Sequence, residues 1–347
     1  MGIPGKLRQY QIVKQLGLSN TTSTSVHCQA WDTAKHQHVA IRTLSQYLED
    51  DQLARQTFSR DSEAWAKLIH PNIVKPLDHF EDKDGMPYRV EQLLQGSSLR
   101  HQLRRSERPF TLHEAIAYGV QLADALAYSH SLGIIHTDIK PSNVYIEDNG
   151  TAYLIDYFGL TRVAGSILGR DLPWGNPEYM APEQVLGQEA NAQSDVYSLG
   201  VVLYRMVTGQ VPFAADTLAG IFLLHRNGAV PPLHDHYPNL EPAIQGVLLT
   251  ALCSQAEGRY QSAAELKLVL EQIRLPPDEP QLREILAKRF DAEELKNLCA
   301  DLDVPFDNLA GEGHAAKARE LIAYLDSRDQ LNRLRRSIRQ KRPDITL

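Results

Sequence analysis

Four polar side chains in two short segments have the types and spacing that phosphoryl transfer needs. Asp138, Lys140 and Asn143 lie within residues 136–143, and Asp156 follows Asn143 by thirteen residues. The first carboxylate would sit where it can accept the proton of a hydroxyl nucleophile, and the lysine would face a γ-phosphate. An amide oxygen and the second carboxylate would sit where Mg²⁺ binds. The sequence therefore predicts Asp138 as the base and Asn143 and Asp156 as metal ligands in chemistry on ATP.

The elements that must position these side chains change in character along the chain. Short β-like runs alternate with turns in the first part, at residues 10–16, 26–31, 38–44, 74–79 and 88–94. A helical stretch at residues 52–69 interrupts them. Helical patterns dominate later, at residues 114–132 and 194–207. This order predicts an α+β protein.

The motifs resemble those of the Ser/Thr protein kinases, in the order and spacing of that family, over roughly residues 8–274. Residues 136–143 resemble the catalytic loop, with Thr137 in place of the usual Arg. Residues 155–159 resemble the magnesium loop, with one additional residue after the Asp. The resemblance implies a bilobal fold for residues 1–274.

In that fold, an N-lobe of about residues 8–93 has an antiparallel sheet and one helix, and a C-lobe of about residues 94–274 is mostly helical. The resemblance also assigns three structural positions in the C-lobe. Glu183 ends the activation segment and pairs with Arg259, and Asp195 braces the backbone of the catalytic loop.

The nucleotide-binding positions that the resemblance implies depart further from the family. They are Gly17, Val26, Ala40, Arg42, Glu91, Gln92, Leu93 and Tyr145. Arg42 replaces the phosphate-binding Lys, and the phosphate loop keeps one glycine, where several would let backbone amides approach. Tyr145 falls on the floor of the adenine pocket, where its ring could fill the space that adenine needs. Glu91 falls at the gatekeeper position, where a buried carboxylate is costly unless paired.

The helix of the N-lobe also carries a substitution. In the family, the phosphate-binding Lys pairs with a Glu on this helix, and Asp61 stands at that position. A longer basic arm and a shorter acidic arm could span a similar gap, so we expect an Arg42–Asp61 ion pair and weakened phosphate binding. Thr137 and Asn176 replace residues that serve activation-loop phosphorylation in the family, so we expect no phosphorylation switch of the usual kind.

Composition excludes several other classes of protein. A net charge of −7 over 347 residues argues against a general nucleic-acid-binding surface. Cys28, Cys253 and Cys299 are scattered, which fits a reducing cytosol and neither a disulfide framework nor a zinc site. No apolar run reaches the length of about 18 residues that a membrane helix needs, and the N-terminus lacks a signal-peptide core. We expect a cytoplasmic protein without membrane or nucleic-acid partners.

The sequence predicts a separate module at residues 281–347. Residues 275–280 contain three prolines and predict a linker. Residues 281–347 form a compact amphipathic set that predicts an all-α bundle. They resemble the small effector-associated, death-like domains of bacterial signalling and conflict-system proteins. The resemblance implies an adaptor that binds a protein partner, including a like domain.

Basic residues cluster in the last part of that module, between residues 333 and 342. Such a run is most often a solvated helix face, and binding to an acidic partner surface is the alternative.

Three hypotheses for the function stay open from the sequence. The first is a degenerate Ser/Thr kinase, a pseudokinase that acts as a scaffold or allosteric switch, with ATP and Mg²⁺ bound weakly or not at all. The second is an active, atypical kinase that transfers the γ-phosphate of Mg²⁺–ATP to a hydroxyl of a protein substrate. The third is a protein-interaction module without nucleotide binding.

Overall fold

The computed structural model describes residues 5–16, 25–105, 110–157, 176–227, 230–231, 242–273, 275, 277, 279–328 and 330–345. Gly17, with residues 18–24 of the predicted phosphate loop, and the end of the predicted magnesium loop at Phe158 and Gly159 lie outside these residues. The chain divides into two compact units, Met1–Ile273 and Arg274–Leu347.

The first unit begins with a six-stranded antiparallel sheet in the order β1-β2-β3-β4-β6-β5. Its strands are β1 (Lys6–Leu7), β2 (Tyr10–Gln15), β3 (Ser25–Asp32), β4 (Gln37–Leu44), β5 (Pro76–Glu81) and β6 (Pro87–Gln92). Successive side chains of a strand face opposite sides, which gives the sheet two apolar faces. Ile41 packs with Tyr10 on one face, whereas Leu44 packs with Phe58 of the following helix on the other.

That helix, α1 (Gln52–Trp65), begins where Asp51 accepts a hydrogen bond from the Ala54 amide at 2.8 Å. It ends four residues before the predicted limit at residue 69. The reason is a tighter turn, in which the Leu68 amide donates to the Trp65 carbonyl at 2.9 Å. This turn directs Leu68 into the core of the following lobe, where it is fully buried.

The second lobe combines a small sheet with helices. Its strands are β7 (Ser97–Ser98), β8 (Val144–Ile146) and β9 (Ala152–Leu154). Its described helices are α2 (Leu99–Arg105), α3 (Leu112–Ser131), α4 (Pro182–Val185), α5 (Ala192–Thr208), α6 (Leu218–Asn227), α7 (Pro242–Ala251) and α8 (Ala263–Gln272).

Helix α3 is the centre of this lobe and starts with a capping box between Thr111 and Glu114. It approaches α5 and α8 closely at Gly119, because an added Cβ would lie 3.0 Å from Leu203 and 3.1 Å from Leu270. The strand-rich lobe and the helical lobe together confirm the predicted bilobal α+β fold.

The second unit is a helical bundle. It contains α9 (Glu279–Arg289), α10 (Ala292–Asp301), α11 (His314–Asp326) and α12 (Leu331–Lys341), which bury one apolar core. The first of these helices begins inside the segment predicted as a linker. Pro280 fits there because the first turn of a helix needs no amide donor from it. None of the described helices is long and apolar enough to cross a membrane.

Candidate nucleotide and phosphoryl-transfer site

The predicted catalytic loop brings three of its polar side chains together. Lys140 Nζ donates to Asp138 Oδ2 at 2.6 Å. Asn143 Nδ2 donates to the same carboxylate oxygen at 3.1 Å and to the Asp138 carbonyl at 2.9 Å. Asp138 is therefore oriented by two donors, as a base that must hold one direction toward a hydroxyl would be.

The loop backbone is held in an unusual conformation at Thr137. This residue has a φ of +67°, which is a genuine outlier for a β-branched side chain. Asp195, near the start of α5, accepts the amides of His136 at 2.7 Å and Thr137 at 2.8 Å. Gln184 Nε2 donates to the Thr137 carbonyl at 2.8 Å. Hydrogen bonds on both sides of Thr137 thus maintain the strained turn that aims the loop.

The second carboxylate is fixed by its neighbours in sequence. His136 Nε2 lies 3.0 Å from the Ile155 carbonyl, and its ring contacts that of Tyr157 in a tilted arrangement with 4.5 Å between centroids. Burial lowers the pKa of His136, so this ring stays neutral and can serve as part of the core. Asp156, between these two anchored residues, has a φ of +63°, which an Asp tolerates.

Arg42 does not form the ion pair predicted for it. Its guanidinium contacts the Asp156 carboxylate, and Nη2 lies 3.7 Å from Glu91 Oε1. Asp61 instead contacts Arg60, its neighbour on α1, at 3.0 Å. The prediction of an Arg42–Asp61 pair is therefore corrected by the structure. The position beside the helix is taken by another arginine, Arg89, described below.

The register of the sheet explains which residues face the cleft. In the β3–β4–β6 register, Arg42 lies opposite His27 on one side and Arg89 on the other. These three residues share a face with Ala40, two residues before Arg42. Val26 lies opposite Thr43 and so occupies the other face, which corrects its predicted place in the nucleotide pocket. His27 takes the position on the cleft side.

The charges on this face perturb one another strongly. Burial would raise the pKa of Asp156, but Arg42, the strongest of the cations around it, holds that pKa at about 2. Burial and Arg42 lower the pKa of His27 to about 3, so the imidazole is neutral at pH 7. Burial raises the pKa of Glu91, and Arg42 opposes that rise. Arg42 is thus already neutralised by protein carboxylates.

Arg89 is the residue that the sequence analysis missed. It is 4% exposed, and its Nε donates to Ser62 Oγ on α1 at 2.8 Å. Its Nη1 donates to the Tyr157 carbonyl at 3.1 Å. The sequence did contain an indication of this position. Side chains alternate between the two faces of strand β6, and Arg89 is two residues before Glu91, so both must lie on the same inward face.

The segment between the lobes holds the remaining predicted nucleotide-binding residues. Glu91 is buried near the end of β6, whereas Gln92 and Leu93 are half-buried, and the Gln92 amide donates to the Lys75 carbonyl at 3.0 Å. Tyr145 on β8 donates its hydroxyl to the Gly96 carbonyl at 2.8 Å. This bond ties the aromatic ring on the predicted pocket floor to the chain that leaves the N-lobe.

Magnesium fits the residue types here but not their arrangement. The side-chain oxygens of Asn143 and Asp156 are hard donors of the kind that Mg²⁺ prefers. Arg42, however, already contacts one oxygen of the Asp156 carboxylate, so a divalent cation would have to bind beside a guanidinium or displace it. Among the described residues, no three His, Cys, Asp or Glu side chains cluster as metal ligands.

The C-lobe holds a buried ion pair below the catalytic loop. Arg259 donates to the two carboxylate oxygens of Glu183 at 2.8 and 2.9 Å. Its side chain is fully buried, and three backbone carbonyls accept its other hydrogen bonds. Burial opposes ionisation of Glu183, but Arg259 and Ser194 lower its pKa. This pair connects α4 with the loop before α8, through a geometry that only a guanidinium provides.

Comparison with known proteins agrees with this geometry. The protein kinase domain matches residues 10–267, and effector-associated domain 7 matches residues 282–343. The chain is 31% identical over 261 residues to the probable serine/threonine-protein kinase PknB of Lactococcus lactis, covering 74% of this chain and 41% of that protein. It is 34% identical over 284 residues to the serine/threonine-protein kinase PknB of Mycolicibacterium smegmatis, covering 79% of this chain and 44% of that protein.

The chain thus spans less than half the length of these curated relatives. Among solved structures, the PknI kinase domain of Mycobacterium tuberculosis superposes with a TM-score of 0.62 at 22% identity, covering 78% of this chain and 99% of that domain. That likeness supports the fold alone. The match to the protein kinase domain covers most of the chain, and the chain therefore belongs to the protein kinase family.

Proposed function

We propose that this chain is a degenerate Ser/Thr protein kinase that works as a scaffold or allosteric switch, coupled to an adaptor domain. The contact between Arg42 and Asp156 carries this proposal. Phosphoryl transfer in protein kinases depends on a metal held by the magnesium-loop Asp. A guanidinium on that carboxylate offsets the negative charge that attracts the metal.

The substitution at residue 42 also weakens phosphate binding. A planar guanidinium prefers bidentate carboxylates, whereas the family's lysine presents a compact ammonium charge to phosphate oxygens. Arg42 has two carboxylates within reach, from Asp156 and Glu91. An incoming phosphate must compete with both of them. We therefore expect ATP to bind weakly, and without the strong dependence on Mg²⁺ that an active kinase has.

The catalytic loop favours a second candidate, an active but atypical kinase. Asp138, Lys140 and Asn143 make the contacts that would orient a base toward a protein hydroxyl. In this alternative, substrate and Mg²⁺–ATP binding together move Arg42 from Asp156. The two candidates differ in whether this displacement occurs at physiological concentrations of ligand.

Calorimetric titration of the full chain with ATP, with and without Mg²⁺, separates them. The degenerate kinase predicts weak binding that Mg²⁺ changes little and that Asp156→Ala does not abolish. Tight Mg²⁺-dependent binding that Asp156→Ala abolishes, with transfer to a Ser/Thr substrate that Asp138→Asn removes, would establish the active kinase. Arg42→Lys is the informative variant, because gained Mg²⁺ dependence would show that residue 42 is the limiting group.

We further propose that residues 282–343 recruit a protein partner, which the match to an effector-associated domain supports. Part of the basic run at residues 333–342 forms ion pairs within the module. Arg333 contacts Asp303 at 3.1 Å, and Arg342 contacts Glu294 at 2.7 Å. These pairs favour a structural role for those residues over an acidic partner surface. Sedimentation of the full chain over a range of concentrations tests whether a second copy is the partner.

A further inference from the structure

We propose that Arg89 is the positioning residue that holds α1 against the sheet and fixes the backbone beside Asp156, in place of the Lys–Glu pair of other kinases. The inference goes beyond the proposed function and applies to either candidate. It assigns a role to a residue that no kinase motif covers. The role follows from five contacts made by one buried side chain.

The first group of contacts is with α1. Arg89 Nε donates to Ser62 Oγ at 2.8 Å, and Nη2 lies 3.5 Å from the Phe58 carbonyl. The guanidinium carbon lies 4.6 Å from the centre of the Phe58 ring and 5.5 Å from that of Trp65. These residues lie on the inward face of the helix at i, i+4 and i+7 spacing. One side chain thus contacts two turns of α1 by hydrogen bonds and by cation–π contacts.

The remaining contact is with the magnesium loop. Arg89 Nη1 donates to the Tyr157 carbonyl at 3.1 Å, one residue after Asp156. Tyr157 is fully buried, and its ring packs at a tilt against His136 of the catalytic loop. The guanidinium therefore connects three elements: strand β6, helix α1 and the chain that carries the second carboxylate. A fork of donors can serve several acceptors at once, which an ammonium on a flexible stem does less well.

The acidic residue at the family's ion-pair position, Asp61, does not connect α1 to the sheet. Asp61 is paired with Arg60, whose side chain is 76% exposed, so solvent screens that interaction. Arg42 is turned toward Asp156 and Glu91. In the family, the residue that ties the helix also contacts phosphate, so helix position and ligand are coupled. In this chain the two tasks fall on different arginines, and the position of α1 does not depend on what occupies the cleft.

Hydrogen exchange of the full chain tests the inference through three matched substitutions. Arg89→Met removes the guanidinium and keeps an apolar side chain of similar length. Arg42→Met removes the guanidinium at the position of the family's phosphate-binding Lys. Arg60→Met removes an exposed arginine from α1. We expect Arg89→Met to accelerate exchange in α1 by roughly tenfold or more, since hydrogen bonds to charged groups are lost. Taken relative to exchange in α5, which carries any loss of global stability, exchange in α1 should change by less than about threefold in Arg42→Met and Arg60→Met.

Exchange in α5, in the core of the other lobe, reports whether each variant is folded. The inference is overturned if α1 exchanges at the wild-type rate in Arg89→Met, or if Arg42→Met accelerates hydrogen exchange in α1 as much as Arg89→Met does. If Arg89→Met fails to fold, Arg89→Lys serves instead, because it keeps the charge and loses the fork. That variant should accelerate exchange in α1 relative to the wild type, and an unchanged rate in it contradicts the proposal.

A spectroscopic measurement adds a readout that general destabilisation would not move. Trp65 is 1% exposed beneath the guanidinium. With Trp31 and Trp174 replaced by Phe, acrylamide quenching reports on Trp65 alone. Quenching under native conditions should rise in Arg89→Lys and stay at the wild-type level in Arg60→Met. Equal quenching in the wild type and in Arg89→Lys argues against a role in holding the helix.

Discussion

Arg42 and Arg89 lie directly opposite each other on neighbouring strands, and both are nearly inaccessible to solvent. Two buried cations on one face would repel, yet each has its own set of partners. Arg42 contacts carboxylates, whereas Arg89 contacts carbonyls, a hydroxyl and aromatic rings. Burial, and then the nearness of Arg42, lower the pKa of Arg89 to about 10, so Arg89 remains charged at pH 7.

The first prediction concerns the pair between Arg42 and Glu91. Arg42→Met leaves the buried Glu91 carboxylate without its cation, so we expect a loss of about 3 kcal/mol in the free energy of unfolding. The double variant Arg42→Met/Glu91→Leu also removes the buried carboxylate and should recover the part of that loss that comes from Glu91, while Asp156 stays without its cation. Denaturant unfolding of the wild type and of the single and double variants measures this. A double variant as unstable as Arg42→Met would show that Glu91 is not the group left uncompensated.

The second prediction concerns the floor of the pocket. Tyr145→Phe removes only the hydrogen bond to the Gly96 carbonyl, so we expect about 1 kcal/mol of destabilisation and no gain in ATP affinity. Tyr145→Leu also shortens the side chain. If the ring fills the space for adenine, relief of about 1–2 kcal/mol of crowding should tighten ATP binding roughly tenfold. Equal ATP affinity in the Phe and Leu variants, measured by calorimetry, would mean that the ring does not obstruct the base.

The sequence predicts the fold and the local caps well because those signals are local. The resemblance of the catalytic and magnesium loops to those of the kinases implies the bilobal fold, which the structure confirms. The Asp291–Glu294 capping box of α10 is a local signal of the same kind, since a cap and its reciprocal partner lie three residues apart. Such features depend on few residues and little tertiary context.

The partners of buried charges could not be predicted in the same way. Arg42 was assigned to Asp61 by analogy, but its partner is chosen by the rows of side chains that cross the sheet. Those rows depend on the register in which neighbouring strands pair, and the spacing of motifs along the sequence does not determine that register. Val26 was placed on the wrong face for the same reason, because a shift of one residue exchanges the faces of a strand.

The third prediction concerns the buried pair of the C-lobe. Arg259→Lys keeps the charge but replaces a planar fork with three clustered donors, so it cannot serve both oxygens of Glu183 and three carbonyls. We expect a loss of about 3 kcal/mol in the free energy of unfolding. The control is Lys267→Met, which breaks a half-exposed pair with Asp124 and should cost at most about 1 kcal/mol. Similar costs in the two variants would contradict the importance of the fork.

The last prediction concerns the pH dependence of stability, through His225 on α6. This side chain is 1% exposed, Nδ1 lies 2.7 Å from the Tyr197 hydroxyl, and burial lowers the pKa to about 4. In the unfolded chain the pKa returns to about 6.5, so between these values the unfolded state binds the additional proton. Acidification from pH 7 to pH 5 therefore destabilises the native state by about 2 kcal/mol through this residue alone.

His225→Gln keeps a polar side chain and removes the titration. Denaturant unfolding between pH 5 and pH 6 measures how the free energy of unfolding depends on pH. The slope should be shallower in this variant than in the wild type, by the amount that corresponds to about one proton bound on unfolding. Other buried histidines, such as His136, titrate equally in both proteins and cancel in the difference. Parallel pH profiles for the two proteins would show that His225 is protonated in the folded state, and that the bond to Tyr197 has the hydroxyl as acceptor.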